Sequence, residues 1–350
     1  MGTRTVGVDI GSGSIRAVEV RCGKKGSATV VRYHEVPLPE GSVKNGEVAE
    51  VNTVAAALRQ LWSAGGFTSK KVVLGVGNPK VLVRDLTVPK LSKKEIRAAL
   101  PFQVQDMLPV PVADALLDFY PVSEGSSETG AVVNGLLVAA VKDAVMSNVT
   151  AVMLAGLTPI EVDLIPFALN RVLARGSMVS GTVALVDVGS HTTNVLITRD
   201  GVPQFVRIIP AGGADVTRAL AGRLDITLEQ AELGKRQLGF SPEAVAPENQ
   251  EAAEIIRELT GELLNSLRST LSFFVNTRPG QHIDRVLLSG GGSTMTSFAL
   301  ALAELTRSEV FLDDPFENVT VGKNARKQSL PELNTGGMTV ALGLALRSVA

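Results

Sequence analysis

The sequence reads Val8-Asp9-Ile10-Gly11-Ser12-Gly13-Ser14, and a variant of that stretch returns as Val186-Asp187-Val188-Gly189-Ser190-His191-Thr192. Apolar, β-branched runs flank both copies, at 5–10 and 15–20 and again at 183–188 and 194–197, so each copy predicts a β-hairpin. Glycine lets the main chain approach a ligand closely, and successive N–H groups at such a turn form an anion-binding nest. Asp9 and Asp187 end the first strand of each copy and would offer carboxylates to a hydrated Mg²⁺. Two facing copies therefore predict a metal-bound polyphosphate held between them.

The composition narrows the class of protein. A chain of 350 residues that is 45% hydrophobic can bury a large core, as two domains or one deeply cleft domain. A net charge of −1, from 34 basic and 35 acidic residues, gives no general attraction to nucleic acid or anionic lipid. One tryptophan and two tyrosines argue against an aromatic platform for single-stranded nucleic acid. We therefore expect no nucleic-acid partner.

Cysteine, histidine and hydropathy indicate the compartment. Cys22 is the single cysteine, so the sequence predicts neither an internal disulfide nor a cysteine metal cluster, which fits the reducing cytoplasm. Three scattered histidines, His34, His191 and His282, argue against a histidine-based metal site. The N-terminus lacks a signal-peptide core, and no apolar run reaches the roughly 18–20 residues that span a bilayer. Any association with a membrane is therefore expected to be indirect, through partners.

The first part of the chain predicts a strand meander with an insertion. Strands are expected at 5–10, 15–20 and 28–35, a helix at 51–64, and a strand pair at 71–76 and 80–88. Ser92 and Glu95 form a capping box that opens a helix, which Pro101 should kink or end early. Strands at 116–121 and 131–141 should flank a polar loop at 123–130. Residues 86–157 are therefore interpreted as a small inserted α/β module.

The second part alternates strands and helices after its own hairpin. We expect a strand at 160–164, a helix at 166–174 and a strand at 204–209. Helices should follow at 214–224, 227–238, 252–276, 296–305 and 336–347, with strands at 286–288 and 309–312. Two halves that each open with the same hairpin predict two related α/β domains around a cleft.

Two further glycine sites have two interpretations each. Gly212-Gly213 precedes a helix, and Gly290-Gly291-Gly292-Ser293 lies between a strand and a helix. Both can be ordinary tight turns, or their N–H groups can bind an anion or contact a nucleoside. Glu232 and Lys235 are three residues apart on one face of a helix. They can form a solvent-exposed salt bridge, or they can contact a bound ligand.

The order of these motifs resembles the actin/Hsp70-like nucleotide-binding superfamily from end to end. Residues 9–16 and 187–194 resemble the two phosphate loops of this superfamily, and residues 288–295 resemble its adenosine motif. Residues 163–173 and 337–347 resemble its two connecting segments. Ala231-Glu232-x-x-Lys235-x-x-x-Gly239 is similar to the pattern that contacts the nucleoside in bacterial actin relatives. The resemblance implies an α/β, actin-like (ribonuclease H-like) fold: duplicated domains around a nucleotide cleft, with an inserted FtsA-like small subdomain.

Within that superfamily the chain resembles the PilM family of type IV pilus assembly proteins. Residues 7–20 and 209–219 and the inserted segment 89–119 carry this resemblance. The implied division is 1–85 with 158–182 and 333–350 as subdomain 1A, and 86–157 as 1C. Residues 183–211 with 283–332 form 2A, and 212–282 form 2B. FtsA ends in an amphipathic membrane-targeting helix, whereas the residues after 336–347 are too few and too mixed for one.

The resemblance implies ATP or ADP with Mg²⁺ as cofactors, and it assigns a role to each candidate residue. Asp9 and Asp187 would hold the metal, while Arg16 matches the lysine with which actin contacts phosphate. His191 is unusual at its position and either contacts phosphate or packs at the cleft edge. The remaining phosphate-loop residues are Gly11, Ser12, Gly13, Ser14, Gly189, Ser190, Thr192 and Thr193. The nucleoside would be lined by Gly212, Gly213, Glu232, Lys235, Gly290, Gly291, Gly292, Ser293 and Met295.

One departure concerns hydrolysis. Active relatives carry Gln or Glu near the start of the helix after the first connecting strand, where this chain has Ile165, with Asp163 and Glu161 nearby. Without a positioned water, nucleotide binding survives while hydrolysis slows. The expected protein is therefore at most a slow ATPase.

The family resemblance also implies partners. It predicts binding of the N-terminal cytoplasmic peptide of PilN in a groove by the inserted subdomain, contact with other pilus platform proteins, and coupling of nucleotide state to pilus assembly. The expected location is the inner face of the cytoplasmic membrane, reached through partners. Self-association of the chain also stays open from sequence. Two alternative functions stay open as well: a filament-forming FtsA/MreB-like cytoskeletal ATPase, or a sugar-kinase-type phosphotransferase.

Overall fold

The computed structural model describes residues 4–23, 27–128, 130–173, 179–240, 246–323, 325 and 335–349. In spatial order, its first sheet contains β10 (Thr158–Leu164), β6 (Lys71–Val76), β1 (Arg4–Ile10), β2 (Ser14–Cys22), β3 (Ala28–Pro37) and β16 (Thr320–Val321). Strands β1 to β3 are antiparallel neighbours, whereas β1, β6 and β10 run parallel. A short antiparallel ladder of β4 (Val43–Lys44) and β5 (Glu47–Val48) follows β3.

The second sheet repeats the first. Its spatial order is β13 (Val202–Ile209), β12 (Thr193–Arg199), β11 (Thr182–Val188), β14 (Arg285–Ser289) and β15 (Glu309–Leu312). Strands β11 to β13 are antiparallel, and β11, β14 and β15 run parallel. Apart from β16, which adds to β3 at the edge of the first sheet, each sheet has three antiparallel strands followed by two parallel ones in the same order. The duplication expected from the two hairpins is therefore present at the level of topology.

Helices cover the outer face of each sheet. On the first sheet lie α1 (Val51–Gly65) and α3 (Lys142–Leu154), and on the second lie α7 (Gln250–Thr277) and α8 (Phe298–Thr306). In α1, the buried residues Val54, Leu58 and Leu61 recur at helical spacing and pack against the sheet. Gly66 ends this helix in the left-handed conformation, with φ at +62°.

Two further helices are exchanged between the halves. Helix α4 (Ile165–Leu173) ends the first half but packs against β11 and β12 of the second sheet. The C-terminal helix α9 (Thr339–Ala345) packs against β1, β2 and β6 of the first sheet. The two helices cross at Gly343, where a Cβ would collide with the main chain of Ala168. The central core therefore contains residues from both halves and joins them.

The inserted subdomain is a three-stranded antiparallel sheet with one helix. Its spatial order is β7 (Val81–Pro89), β9 (Gly130–Val141) and β8 (Ala115–Ser127). Helix α2 (Lys93–Gln103) begins at the predicted capping box of Ser92 and Glu95, and its Leu100 packs on Leu137 of β9. The inserted sheet also contacts the second half at β13, and Arg278 beyond α7 donates to both Asp85 carboxylate oxygens at 3.1 and 2.9 Å.

A small helical layer completes the second half. It contains α5 (Gly213–Leu224) and α6 (Leu228–Leu238), which pack against α7 around Val216, Leu220 and Ile256. Thr227 and Gln230 form a capping box at the start of α6.

Several local predictions are wrong. The runs 71–76 and 80–88 do not pair, because β6 lies inside the first sheet while β7 belongs to the inserted one. Most of the predicted loop 123–130 is strand, and α3 was not predicted at all. Helix α2 ends at Gln103, two residues after Pro101, which agrees with the expectation that this proline ends the helix early. In the predicted helix 336–347, only Thr339–Ala345 is α-helical, between two 3-10 turns.

Some predicted features lie outside the described residues. These are Thr129 of the predicted loop, Ala174 of the predicted helix 166–174, and parts of the predicted subdomains 1A, 2A and 2B, including 174–178, 241–245 and 326–334. Within the part of the chain that the structure describes, no helix has the length and apolar character needed to cross a membrane.

Candidate functional site

The two hairpin turns have the same geometry. The Gly11 N–H donates to the Ser14 carbonyl at 3.0 Å, and the Gly189 N–H donates to the Thr192 carbonyl at 3.0 Å. A Cβ on Gly11 or Gly189 would lie 3.1 or 2.8 Å from those same carbonyl oxygens, which explains why both positions are glycine. The main-chain N–H groups of the turn residues donate no hydrogen bond within the described ranges: Ser12, Gly13, Ser190, His191 and Thr192. Both turns therefore present free donors, as an anion-binding nest requires.

The two aspartates of the hairpins lie close together. Asp9 and Asp187 are only 9% and 8% exposed. Burial and, after it, the nearby charge of Asp9 together raise the pKa of Asp187 to about 7. Burial also raises the pKa of Asp9, although the Arg16 guanidinium opposes that rise. The structure thus brings together two carboxylates that repel each other when no cation lies between them.

The surroundings of these carboxylates suit a hydrated ion. The described residues contain no group of three or more Asp, Glu, His or Cys side chains arranged to enclose a metal. Mg²⁺ usually keeps several waters and takes one or two protein carboxylates together with phosphate oxygens. Gly290 adopts φ +84°, and a Cβ there would lie 2.7 Å from the Asp187 carboxylate. The adenosine-motif glycine therefore lies directly against the predicted metal site.

Arg16 is the cation of the first hairpin. Cross-strand register places it opposite Asp9, with Nη1 3.6 Å from the Asp9 carboxylate and Nη2 3.0 Å from Glu35. Its Nε is buried and has no hydrogen-bond partner in the described part of the chain. A charged donor left free beside two carboxylates fits a phosphate oxygen.

Asn194 occupies the equivalent position in the second hairpin, opposite Asp187. Its side chain hydrogen-bonds Asp187, which lowers the pKa of that carboxyl, while its buried Oδ1 has no partner among the described residues. A Cβ on Gly77, beyond β6 of the first half, would lie 2.8 Å from that oxygen, so the two halves meet here. Sequence reasoning missed Asn194, although its equal spacing from its aspartate was the available signal.

Asp313 is a third carboxylate that sequence reasoning missed. It follows β15, and burial raises its pKa to about 6. The Thr339 hydroxyl of α9 donates to it at 2.9 Å, and its charge also raises the pKa of Asp187. The place where the two aspartates meet is therefore strongly acidic, with Arg16 as the cation in contact with Asp9.

His191 lies at the tip of the second turn. Arg218 of α5 approaches its Nε2 to 2.6 Å, and Nδ1 is buried without a partner in the described ranges. Burial and the Arg218 charge lower the pKa of His191, whereas Asp215 and Glu40 raise it. Glu40 lies just beyond Leu38, whose N–H donates to the Gly13 carbonyl at 2.9 Å. The second turn thus faces the segment that holds the first.

The start of α5 is tied to the second turn. The N–H groups of Gly213 and Ala214 donate to the carbonyls of Gly189 and Ser190 at 3.0 and 2.8 Å. The Gly212 N–H donates to Asp215 at 2.8 Å. These donors at the start of the helix therefore shape the turn and are already occupied. Of the two interpretations of Gly212-Gly213, the structure favours a tight turn over direct binding of an anion by these N–H groups.

Glu232 and Lys235 join the same group. The Lys235 ammonium donates to the Gly213 carbonyl at 3.1 Å, to the Thr217 hydroxyl at 2.9 Å and to Glu232 at 2.5 Å. All three of its donors are thus used inside the protein. The pair is not a solvated surface contact, since it fastens α6 to the first turn of α5.

The adenosine motif closes this side of the site. The Ser293 hydroxyl donates to the Gly290 carbonyl at 2.7 Å, and Gly291 starts a 3-10 turn. Gly292 packs against Val188 and approaches Gly213. A cavity of about 250 Å³ lies beside α7 and is lined by Gly212, Gly213, Gly292, Met295, Leu259 and Leu263, among others. The predicted nucleoside residues therefore gather in one place.

The position of the expected water-orienting residue is apolar. Ile165 packs against Gly75 and Gly77, where Cβ atoms would lie 3.0 and 2.9 Å from it. Asp163 is paired with Arg171 and, at 3.3 Å, with Arg347, which also binds Glu161 at 2.6 Å. Neither neighbouring carboxylate is therefore free to orient a water.

Comparisons with known proteins agree with this geometry. A family model described as type IV pilus assembly protein PilM matches residues 7–349. A chain of the solved PilM-PilN type IV pilus biogenesis complex is 27% identical, covers all of both chains and has a TM-score of 0.86. The cell division protein FtsA of Bacillus subtilis (strain 168) is 23% identical over 319 residues, covering 79% of this chain and 72% of FtsA.

A more distant structure shares the fold alone. MreB 5 of Spiroplasma citri bound to AMPPNP is 11% identical, with a TM-score of 0.51 over 97% of this chain and 94% of its own. The actin-like fold expected from the sequence is confirmed. The stronger match to the pilus family favours it over the cytoskeletal alternative.

Proposed function

Since the chain belongs to the family of the type IV pilus assembly protein PilM, we propose that it is an actin-like, ATP-binding component of the pilus assembly platform. In this proposal it binds Mg²⁺ with ATP or ADP in the cleft and binds the N-terminal cytoplasmic tail of PilN, which holds it at the inner face of the cytoplasmic membrane. The four-subdomain division given above remains part of the proposal. The observation that carries it is the pair of equivalent turns with free N–H groups and adjacent carboxylates.

Each part of the cleft has a role in the proposal. The free N–H groups of the two turns and Arg16 hold phosphate oxygens, and the orphaned Arg16 Nε supports this assignment. Asp9 and Asp187 hold hydrated Mg²⁺, which neutralises phosphate charge. Gly213 and Gly290–Gly292 line the nucleoside, and Glu232 and Lys235 fix that wall.

Calorimetric titration with Mg·ATP tests this site. We expect Asp9→Asn and Asp187→Asn each to lower the affinity about 100-fold, or about 3 kcal/mol. Asp143→Asn, an exposed carboxylate at the start of α3, is the matched control and should bind as the unaltered protein does. Unchanged affinity in either cleft variant would contradict the metal assignment.

The PilN tail would bind along an apolar strip beside the inserted subdomain. The strip contains Met146 and Met153 of α3 with Ile160 and Val162 of β10, which are 43%, 60%, 48% and 37% exposed. It borders the inserted sheet, because β9 continues directly into α3. Strand β10 is an edge strand of the first sheet within the described residues, so its outer main-chain groups can pair with an extended peptide.

Fluorescence anisotropy with a labelled PilN-tail peptide tests the strip. Val162→Asp and Met153→Asp should each weaken binding at least about 10-fold, since each introduces a charge against an apolar peptide side chain. Phe102→Asp is the control, because Phe102 is 83% exposed and lies on α2, which contributes no residue to the strip. Loss of binding in the control but not in the strip variants would contradict the strip as the binding site and would indicate that the peptide binds on the surface of the inserted subdomain.

The purpose of nucleotide in this proposal is switching more than turnover. Ile165 leaves the attacking water unoriented, and Arg171 and Arg347 hold Asp163 away. Ile165→Gln should therefore raise the single-turnover rate of ATP hydrolysis, by about 10-fold or more, with little change in ATP affinity. Ile165→Leu is the control, and an equal rate in both variants would remove Ile165 as the reason for slow hydrolysis.

A further inference from the structure

Arg218 and His191 form a contact whose chemistry decides the position of a proton. Arg218 lies on α5 and His191 in the second turn, with Nη1 and Nε2 2.6 Å apart. A guanidinium has N–H donors and no acceptor, so Nε2 must accept. A neutral imidazole with an accepting Nε2 carries its proton on Nδ1. His191 therefore has its Nδ1–H tautomer set by Arg218.

The charges around this imidazole keep it neutral. Burial and the Arg218 charge lower the pKa of His191, and the opposing carboxylates are Asp215 on α5 and Glu40 beyond β3. Asp215 is itself paired with Arg218, which weakens its effect on the imidazole. His191 is thus a neutral donor and not an imidazolium in the physiological range.

The resulting Nδ1–H lacks an acceptor. The atom is buried and has no hydrogen-bond partner within the described ranges. Buried donors in folded proteins are almost always satisfied, so a free one at a ligand site indicates the acceptor that is to arrive. Its neighbours in the turn are the free N–H groups of Ser190 and Thr192, which call for the same kind of partner.

We propose that Arg218 is a positioning residue that holds His191 as a neutral Nδ1–H donor for a phosphate oxygen of the nucleotide. The inference rests on the proposed function and deepens it, since it assigns a proton to a stated atom and a role to a residue on α5 outside both phosphate loops. It also gives this histidine a role in the turn: its neutral donor extends the row of main-chain N–H groups.

The first experiment compares two amides at position 191. Asn places its amide nitrogen near the position of imidazole Nδ1, whereas Gln places it near Nε2. We expect His191→Asn to keep most of the affinity for Mg·ATP and Mg·ADP, and His191→Gln to lose about 10-fold for both, as for a hydrogen bond to a charged group. Adenosine, which has no phosphate, should bind all three proteins equally. Equal ATP affinity in the Gln variant and the unaltered protein would overturn the proposal.

The second experiment removes the positioning group. In Arg218→Leu, nitrogen-15 NMR of the imidazole without nucleotide should change from a single Nδ1–H tautomer to a mixture. The matched control is Arg223→Leu, on the same helix but bonded to Glu258 at 2.5 Å, which should leave the spectrum unchanged. A mixture in the unaltered protein, or an unchanged tautomer in Arg218→Leu, would overturn the inference.

The pH dependence of ATP affinity separates positioning from a general loss of charge. In the unaltered protein His191 stays neutral, so its titration should add no slope between about pH 6.5 and 8. In Arg218→Leu its pKa rises, and affinity relative to the unaltered protein, in which Asp187 titrates as well, should then increase about 3- to 10-fold as the pH falls through that range. A profile in Arg218→Leu parallel to that of the unaltered protein would overturn the positioning role. Failure of the unaltered protein to bind ATP would instead reject the proposed function, while the NMR result would still stand.

Discussion

The hairpins at residues 4–22 and 182–199 share one backbone and differ in charge. Their turns close with the same hydrogen bond at the same length, and each aspartate faces the residue seven positions later across the strand pair. That residue is Arg16 in the first hairpin and Asn194 in the second. One buried carboxylate therefore has a cation beside it, and the other has only an amide.

The difference shows how a duplicated fold can build an asymmetric site. Backbone geometry supplies free N–H groups on both walls, whereas the side chains leave negative charge concentrated near Asp187. Asp9 and Asp313 increase that charge, and Arg16 offsets part of it. A divalent cation would offset this negative charge, which the side chains of neither wall do alone.

The largest expected effect is on stability and comes from Gly7, because helix α9 packs directly on this position of the first sheet. Gly7 of β1 corresponds to Leu185 of β11, and a Cβ on Gly7 would press against the Leu344 Cβ at 2.8 Å and the α9 main chain. Gly7→Ala should destabilise the protein by more than about 4 kcal/mol in urea unfolding. Gly222→Ala in α5, with open space around it, should instead be neutral or stabilising by about 0.5–1 kcal/mol. A mild effect of Gly7→Ala would mean that α9 can move away from the first sheet.

The next effect tests the raised pKa of Asp187 through the pH dependence of stability. The Asp187 pKa is about 7 in the folded protein against 3.8 for the free group. Between these values the folded state binds more protons, so the stability of the ligand-free protein should fall as pH rises from about 4 to 7, by up to about 4 kcal/mol. Asp187→Asn should remove its share of that slope, whereas Asp143→Asn should not. An identical slope in both variants, in urea unfolding without Mg²⁺, would contradict the charge difference between the walls.

Arg16 carries the next largest effect. Arg16→Gln removes the cation of the first wall, and we expect ATP affinity to fall by about 2 kcal/mol, since hydrogen bonds to charged groups contribute about that much. The control is Arg97→Gln, an exposed arginine paired with Asp118 on the inserted subdomain. Calorimetry that found equal affinities for these two variants would exclude Arg16 as a phosphate contact.

The smallest effect concerns the second wall. Asn194→Ala removes the amide that hydrogen-bonds Asp187, so the pKa of that carboxyl should rise further and Mg·ATP affinity should fall by about 1 kcal/mol. Asn52→Ala, exposed in the first turn of α1, is the control. A loss as large as that of Arg16→Gln would show that the two walls contribute equally, and the comparison would fail.

Much of the fold could be predicted because the decisive pattern is local. Each hairpin lies within about twenty residues, and strand alternation with glycine at the turn predicts it without tertiary information. The repeat of the hairpin also predicted that Asp9 and Asp187 lie close together, because they occupy equivalent positions in two facing copies. The structure places these carboxylates near each other. The metal and nucleotide themselves stay predictions.

The errors arise where tertiary contacts override local signals. Strand β6 is buried on both faces, as interior parallel strands are, and the Gly77-Asn78-Pro79 turn after it leaves the sheet without forming a hairpin. Helix α3 was missed because it follows β9 without a break and contains Val145, Val149, Thr150 and Val152, which are β-branched. The Arg218–His191 contact joins different elements, so no spacing rule could reveal it.

The exchange of α4 and α9 has a consequence for synthesis of the chain. Domains usually fold as they emerge from the ribosome, N-terminal part first. Here one face of the first sheet is covered by residues 339–345, which follow the whole second half in the chain. The strand that carries Asp9 therefore keeps that face uncovered until the second half has been synthesised, so the two hairpins reach their final surroundings only after both halves have been made.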